Sequence, residues 1–258
     1  MKIWISTALL LLPAAALAAS GLDGSWKLRL DSLKVTGKPD SYVIVDGMYS
    51  CSSCAPAIAK VPADGAFHKI DGHAYYDEIA IKVVNPNTVE ISTKQKGKLM
   101  GTDTATVSAD GKTLNGKFTG YAGTEPVTGT YTETRTAPGP AGSHAISGSW
   151  LQSQINSGND ALRNVDYAMS ANGFTMKSNG QSYDAKFDGK QYPVAGDPGH
   201  TMVTLKKVDD NTVEETDYRQ GKAVDEIHLA AAKDGKTVQL TDKDLVHEQT
   251  TTMIFDKQ

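Results

Sequence analysis

Apolar and polar residues alternate over short stretches along most of this chain. Ile79, Ile81 and Val83 alternate with Ala80 and Lys82, and a period of two places the first set on one face of a β-strand. Turn signals such as the Asp-Gly pairs at 64–65 and 110–111 separate these stretches at the spacing of β-hairpins. The pattern predicts an all-β protein in which each half contains about eight to ten antiparallel strands, arranged as a small barrel.

An internal repeat organises the chain. Gly24-Ser25-Trp26 recurs as Gly148-Ser149-Trp150, an offset of 124 residues, and the same offset relates Asp110–Thr113 to Asp234–Thr237 and Tyr131 to Phe255. Only residues 31–63 need a shift in the alignment. A Pro- and Gly-rich stretch, APGPAGSHA, lies between the copies and is typical of a linker.

The repeat predicts two tandem domains after a leader. Residues 1–19 have a lysine, a short apolar run and Ala16-Leu17-Ala18 before the expected cleavage point, as in a secretory signal peptide. The predicted units are the signal peptide, a first barrel at 20–136, a linker at 137–146 and a second barrel at 147–258. Each barrel is expected to fold alone. The mature protein is expected to be periplasmic or extracellular.

Charge and hydropathy exclude some partners. The formal net charge is −4, and the charges are interspersed, which argues against binding to nucleic acid because a phosphate backbone requires clustered Lys and Arg. No apolar run after the leader reaches the ~20 residues of a membrane-spanning helix. Neither the oligomeric state nor any protein partner follows from the sequence.

The only two cysteines, Cys51 and Cys54, lie two residues apart and allow three interpretations. An exported protein normally has oxidised cysteines, which favours a structural disulfide. The spacing Cys51-x2-Cys54-x13-His68-x4-His73 also matches a zinc site. A redox pair is the third interpretation, but it lacks the helix N-terminus that lowers a thiol pKa in such enzymes.

The zinc interpretation meets two objections. Pro56, Pro62 and Gly65 lie in the segment that would form the helix of a zinc finger. The second repeat has no cysteine, and it has Tyr192 and Asp197 in place of the two histidines. The disulfide is therefore the favoured prediction, no cofactor is expected, and zinc remains an alternative.

The Gly-x-Trp motif at the start of a first strand, with closing strands TGTYTETRT and TTTMIFDK, resembles lipocalins and the related calycin barrels. The resemblance also extends to duplicated lipocalin-like exported proteins of bacteria, and it covers most of both repeats. It implies barrels with Trp26 and Trp150 packed under one end, and a ligand cavity.

Binding of a small, largely apolar molecule without catalysis is the function this resemblance favours. The sequence contains no G-x-S-x-G, H-E-x-x-H or phosphate-binding loop. Alternatives are an envelope or interaction protein with no internal ligand, and metal binding by the first repeat. Glu215 and Asp217 stand where the first repeat has Ile91 and Thr93. A polar or cationic ligand in the second cavity is one interpretation, but we expect that strand face to point to solvent because a buried carboxylate is costly.

Overall fold

The computed structural model describes residues 20–258. It is nearly all β, with 63% strand and 3% helix, and it contains two nearly closed antiparallel sheets that resemble barrels. The predicted fold class is therefore confirmed. The predicted signal peptide lies outside the described residues.

The strands follow one another with few helical residues between them. The chain begins with β1 (Gly24–Leu28), a 3₁₀ turn (Leu30–Ser32) and β2 (Lys34–Gly37). Ten strands follow: β3 (Asp40–Val45), β4 (Met48–Cys51), β5 (Ile58–Pro62), β6 (Asp64–Lys69), β7 (Glu78–Asn85), β8 (Thr88–Gln95), β9 (Lys98–Val107), β10 (Thr113–Gly120), β11 (Val127–Pro138) and β12 (Gly148–Gly158). After a short helix, α1 (Asp160–Arg163), come β13 (Asn164–Met169), β14 (Gly173–Ser178), β15 (Gln181–Lys186), β16 (Tyr192–Pro193), β17 (Met202–Asp209), β18 (Thr212–Arg219), β19 (Lys222–Ala231), β20 (Thr237–Asp244) and β21 (Gln249–Lys257).

Two sheets account for all of these strands. The first barrel has the order β5-β4-β3-β12-β11-β10-β9-β8-β7-β6. The second barrel has the order β15-β14-β13-β1-β21-β20-β19-β18-β17-β16, and β2 also pairs with β21. A bridge between Ser182 and Ala195 brings the two ends of the second sheet together.

The two repeats exchange their first strands. β1 pairs with β13 and β21 of the second half, so that Trp26 lies opposite Val165 and Lys257. β12 opens the second repeat but pairs with β11 and β3 of the first half, so that Trp150 lies opposite Arg135 and Asp40. The barrels therefore do not follow the predicted boundaries of 20–136 and 147–258.

The first barrel is instead a continuous segment inserted into the second. All of its strands lie between residues 40 and 158, whereas the second barrel combines residues 24–37 with residues 164–257. The physical reason is the hairpin between β11 and β12, because a short connection pairs consecutive antiparallel strands directly.

The predicted linker at 137–146 is part of that hairpin. β11 extends through Pro138, and Ile146 is buried in the core of the first barrel. The Arg135 guanidinium donates hydrogen bonds to the carbonyls of Ala145 and Ser147, both at 2.6 Å. The segment is thus a packed loop of the first barrel and does not separate two domains.

Each exchanged strand carries the tryptophan that packs at one end of its barrel. Trp26 and Trp150 are fully buried, and each indole nitrogen donates to the carbonyl four residues earlier, at 2.9 and 2.8 Å. A cation covers each ring: the Arg135 guanidinium lies 3.9 Å from the Trp150 ring, and the Lys257 ammonium 5.1 Å from the Trp26 ring. Burial of an indole contributes a large apolar area, so each barrel depends on a strand from the other repeat.

Strand register corrects the sequence alignment at the last strand. Because Arg135 lies opposite Trp150 and Lys257 lies opposite Trp26, the two cations are equivalent. Counting back along the strands, Tyr131 corresponds to Met253 and not to Phe255. The turn before β21 is two residues shorter than the turn before β11, which explains the shift.

Within residues 20–258, α1 and the 3₁₀ turn are too short to cross a membrane, and no other helix is present.

Candidate functional site

The two cysteines form a disulfide at the tip of the β4–β5 hairpin, as predicted. Their Cα atoms are 5.4 Å apart. Cys51 is buried in the core of the first barrel, and Cys54 is partly exposed. Sulfur atoms joined in this way are not available as the thiolate ligands that zinc requires.

The two histidines of the zinc hypothesis lie apart and have other partners. His68 Nε2 is 2.9 Å from the Asp64 carboxylate. The His73 ring stacks on Tyr76 with a centroid distance of 4.6 Å, and burial lowers the pKa of His73. Within residues 20–258, no three His, Cys, Asp or Glu side chains converge as a metal site. The four predicted ligands are therefore not brought together.

A cavity of about 230 Å³ lies inside the first barrel. Its lining residues come from β3, β4, β8, β9 and β11, which face one another across the barrel. Ile91, Ala105 and Ile146 supply apolar wall. Cys54 and His247 line both this cavity and a cleft between the barrels, so they mark its opening. The polar lining residues are Asp40, Tyr42, Tyr49, Ser53, Asp103, Tyr131, Glu133 and His247.

Tyrosine hydroxyls hold two of these carboxyl groups. Tyr131 Oη donates to Asp103 Oδ1, and Tyr42 Oη donates to Glu133 Oε2, both at 3.1 Å. Burial raises the pKa of Asp103 to about 6 and the pKa of Glu133 to about 7, because a low-dielectric interior solvates a charge poorly. Burial also raises the pKa of Asp40. In the described residues no Lys or Arg side chain lines the cavity, and His247 is the basic group in its lining; a hydrogen bond with Asp244 raises the pKa of His247.

One polar group in the first cavity has no partner. Tyr49 is 5% exposed and lines the cavity, and within residues 20–258 its hydroxyl takes part in no hydrogen bond. A buried tyrosine hydroxyl normally finds a partner. Tyr49 therefore presents a free donor and acceptor to whatever occupies the space.

A second cavity, also of about 230 Å³, lies inside the second barrel. Tyr183 and Glu215 are its central polar pair, with the Tyr183 hydroxyl donating to Glu215 Oε2 at 2.5 Å. Arg163 lies on its wall, and its guanidinium donates to the carbonyl of Leu28. The apolar lining residues are Leu162, Val165, Met176, Ile227, Leu229, Leu240 and Phe255.

The expectation that Glu215 faces solvent is wrong. Glu215 is 7% exposed and shares its face of β18 with the fully buried Val213. Burial and the neighbouring Asp217 raise the pKa of Glu215 well above its ordinary value, and burial raises that of Asp217 to about 6. The hydrogen bond from the Tyr183 phenol makes burial of the carboxyl group possible, and no sequence pattern indicates that these two residues, 32 positions apart, are in contact.

The carboxyl groups of the two barrels occupy different places. Glu215 stands where the first barrel has Ile91, whereas Asp103 stands where the second barrel has Ile227. The carboxyl groups of the two cavities therefore do not lie at equivalent positions of the repeat. Asp103 and Glu133 were not predicted as cavity residues, because a polar strand face ordinarily indicates exposure to solvent. The alternation of Tyr131, Glu133 and Arg135 along TGTYTETRT is the signal that could have indicated Glu133.

The cleft between the barrels is larger, about 470 Å³. His73, Tyr75 and Tyr76 line it from the first barrel, and Arg219 and Lys222 line it from the second. The Arg219 guanidinium lies 5.0 Å from the Tyr75 ring. The basic residues of this cleft differ from the carboxyl groups that line the barrel cavities.

The cavities contain hydrogen-bonding groups but no assembled nucleophile. Within residues 20–258, no histidine ring is hydrogen-bonded to a Ser, Thr or Cys side chain; the rings of His68 and His247 contact carboxylates and that of His144 contacts backbone atoms. A nucleophile activated by an adjacent base needs such a contact. The arrangement therefore supplies donors and acceptors for a bound molecule.

No protein family, curated protein or solved structure matches this chain at a significant level.

Proposed function

We propose that this chain is an exported, non-catalytic binding protein that holds a small molecule with a largely apolar body inside its barrels. The observation that carries the proposal is the cavity of about 230 Å³ inside each barrel, with apolar walls and a few convergent polar groups. This combination is typical of ligand sites, which lie in concave, mostly apolar spaces. The resemblance to lipocalins and the leader-like residues 1–19 support the same proposal.

Cavity size limits the ligand. Each cavity is smaller than the ~300–1,000 Å³ of ordinary drug-sized sites. A cavity of ~150 Å³ is large enough for benzene. A molecule of one or two rings, or a short branched chain, fits the space in either barrel.

Filling each cavity in turn tests the proposal. Indole is titrated calorimetrically into the wild type, into Ala105→Leu, which fills the first cavity, and into Val165→Phe, which fills the second. Ala59→Leu and Val208→Phe make the same changes at exposed positions and serve as controls. We expect saturable binding that each filling variant reduces by one site and that the controls leave unchanged.

Native mass spectrometry of protein from its own host provides an independent readout, because a carrier retains cargo. No binding of indole, together with no retained small molecule, would overturn the proposal in favour of an interaction protein without an internal ligand. Equal binding by the wild type and both filling variants would place the site outside the barrels.

A further inference from the structure

We propose that the first barrel binds a small organic cation, a protonated amine with an apolar or aromatic body. This inference rests on the proposed function and adds the chemical class of the ligand. It is carried by three features of one cavity: carboxyl groups with no Lys or Arg among the described lining residues, a phenol whose hydroxyl opens into the cavity without a partner, and aromatic walls.

The carboxyl groups supply acceptors. Asp103 and Glu133 each receive one tyrosine hydrogen bond, whereas an ionised carboxylate can accept about four. Asp40 joins them in the lining, and among the described residues no Lys or Arg does. An ammonium group of a ligand could donate to the remaining acceptor positions of these carboxyl groups. Hydrogen bonds between charged groups are stronger than those between neutral groups.

The phenol of Tyr49 is the independent observation. The residue is 5% exposed and lines the cavity, and its hydroxyl opens into that space with no hydrogen-bond partner in the described part of the chain. As an acceptor from an ammonium group or as a donor to a ligand oxygen, it can bond directly to a molecule in the cavity. The aromatic rings of Tyr42, Tyr49 and Tyr131 also line the space, and ring faces attract cations.

An organic cation fits better than a metal ion. The carboxyl groups in residues 20–258 do not converge as three metal ligands, so no oxygen shell for a divalent ion is formed. Ile91, Ala105 and Ile146 provide apolar wall beside them. A bound metal ion would make no contact with that apolar wall. An amine with an apolar body can bind the carboxyl groups through its ammonium group and pack its body against the wall.

The second barrel does not offer the same site. Its cavity contains one carboxyl group, Glu215, already held by Tyr183, and the guanidinium-bearing Arg163 also lines it. A cation there meets a resident positive charge. We therefore assign the amine to the first barrel.

The test compares three ligands of similar shape: phenethylamine, 2-phenylethanol and phenylacetate. At pH 8 we expect the wild type to bind phenethylamine at least roughly tenfold more tightly than 2-phenylethanol, because a charged hydrogen bond replaces a neutral one. Phenylacetate should bind most weakly. The preference should disappear at pH 5, where the carboxyl groups hold protons while the amine stays charged.

Several titratable or charged groups face or border the cavity and enter this pH dependence. A hydrogen bond with Asp244 raises the pKa of His247, so His247 gains positive charge as the pH falls from 8 and opposes a bound cation, in the same direction as protonation of the carboxyl groups. Arg135 lies beyond them against Trp150 and keeps its charge. These groups are Asp40, Tyr42, Tyr49, Asp103, Tyr131, Glu133, Arg135, Asp244 and His247.

Variants separate this inference from the proposed function. Asp103→Asn with Glu133→Gln should abolish the preference for the amine and retain binding of 2-phenylethanol. Glu90→Gln, which removes a carboxylate on the outer surface, is the matched control and should retain the preference. Circular dichroism of the double variant establishes that it is folded.

Two outcomes would overturn the inference while leaving the proposed function intact. One is binding of 2-phenylethanol as tight as that of phenethylamine at pH 8. The other is an amine preference that survives in Ala105→Leu and is lost in Val165→Phe, which would place the cation in the second barrel. Failure of all three ligands and of indole would remove the proposed function itself.

Discussion

Replacing Glu133 by glutamine should stabilise the ligand-free protein at pH 8 and change its stability little at pH 4. The glutamine oxygen can still accept the hydrogen bond from Tyr42, so the substitution mainly removes the ability to ionise. Burial raises the pKa of Glu133 to about 7 in the folded protein, compared with 4.5 for the exposed side chain. This difference corresponds to about 3 kcal/mol, an upper value because the side chain keeps some contact with solvent.

The direction follows from proton binding. Between pH 4.5 and about 7 the folded state holds a proton that the unfolded chain has released, so the stability of the wild type falls as the pH rises through this window. Below this window Glu133 is protonated in both the folded and the unfolded state, so the wild type and the glutamine variant have similar stability. Above it the carboxylate is ionised in both states, and its desolvation is a constant cost to the folded protein.

Urea unfolding followed by tryptophan fluorescence at pH 4, 6 and 8 measures the effect. The advantage of Glu133→Gln over the wild type should grow with pH and level off near pH 8. Glu90→Gln, at a side chain that is 43% exposed and paired with Lys82, should change the free energy of unfolding by only a few tenths of a kcal/mol. A Glu133→Gln variant that is less stable than the wild type at pH 8, or equally shifted at every pH, would refute the assignment of a buried, poorly solvated carboxyl group.

Three further predictions concern the architecture. A fragment of residues 38–158 contains the complete first barrel and should show the dispersed amide resonances of a folded protein, whereas residues 20–136, which lack β12, should not; the reverse result would contradict the strand exchange. Trp150→Ala should cost ~3–5 kcal/mol and should accelerate hydrogen exchange mainly in the first barrel, although Trp150 belongs to the second repeat. Replacing Cys51 and Cys54 together by serine should lower the free energy of unfolding by less than the ~3 kcal/mol expected for a disulfide that closes a fifteen-residue loop. Thermal unfolding without reductant measures this change. A larger loss would mean that the disulfide stabilises contacts beyond the β4–β5 hairpin.

Much of the fold could be predicted from local patterns. Alternation and Asp-Gly turns indicated the strands, since each strand has one face in a core. Val203 and Leu205 are buried as the alternation predicts, whereas Val83 is 40% exposed because it lies near the end of β7. At the ends of strands, therefore, the alternation does not predict burial correctly.

The strand exchange could not be predicted in the same way. β1 and β12 begin with the same Gly-Ser-Trp, so by local sequence either strand suits either barrel. The choice depends on connectivity, since β12 continues directly from β11 through a packed loop. An offset between two repeats reveals equivalent residues and does not reveal which copy they pair with.

The carboxyl groups in the cavities could not be predicted from the sequence for a different reason. Asp103, Glu133 and Glu215 alternate with residues of similar polarity, so that the inner face of the strand looks like an outer face. Their burial depends on tyrosines far away in the sequence, such as Tyr42 for Glu133, 91 residues apart. Pairs of this kind follow from the closed barrel and not from any short stretch of the chain.

The insertion of the first barrel between β2 and β13 has a consequence for the order of folding. Trp26 meets Lys257 across nearly the whole chain, and closing so long a loop in an unfolded chain is entropically costly and slow. The first barrel removes most of that loop when it forms, because its entering strand β3 and its leaving strand β12 lie side by side. We therefore expect the first barrel to fold early and the second to wait for it. In refolding experiments, a substitution that slows folding of the first barrel should slow folding of the second barrel equally. A substitution confined to β13–β20 should leave the early folding phase unchanged.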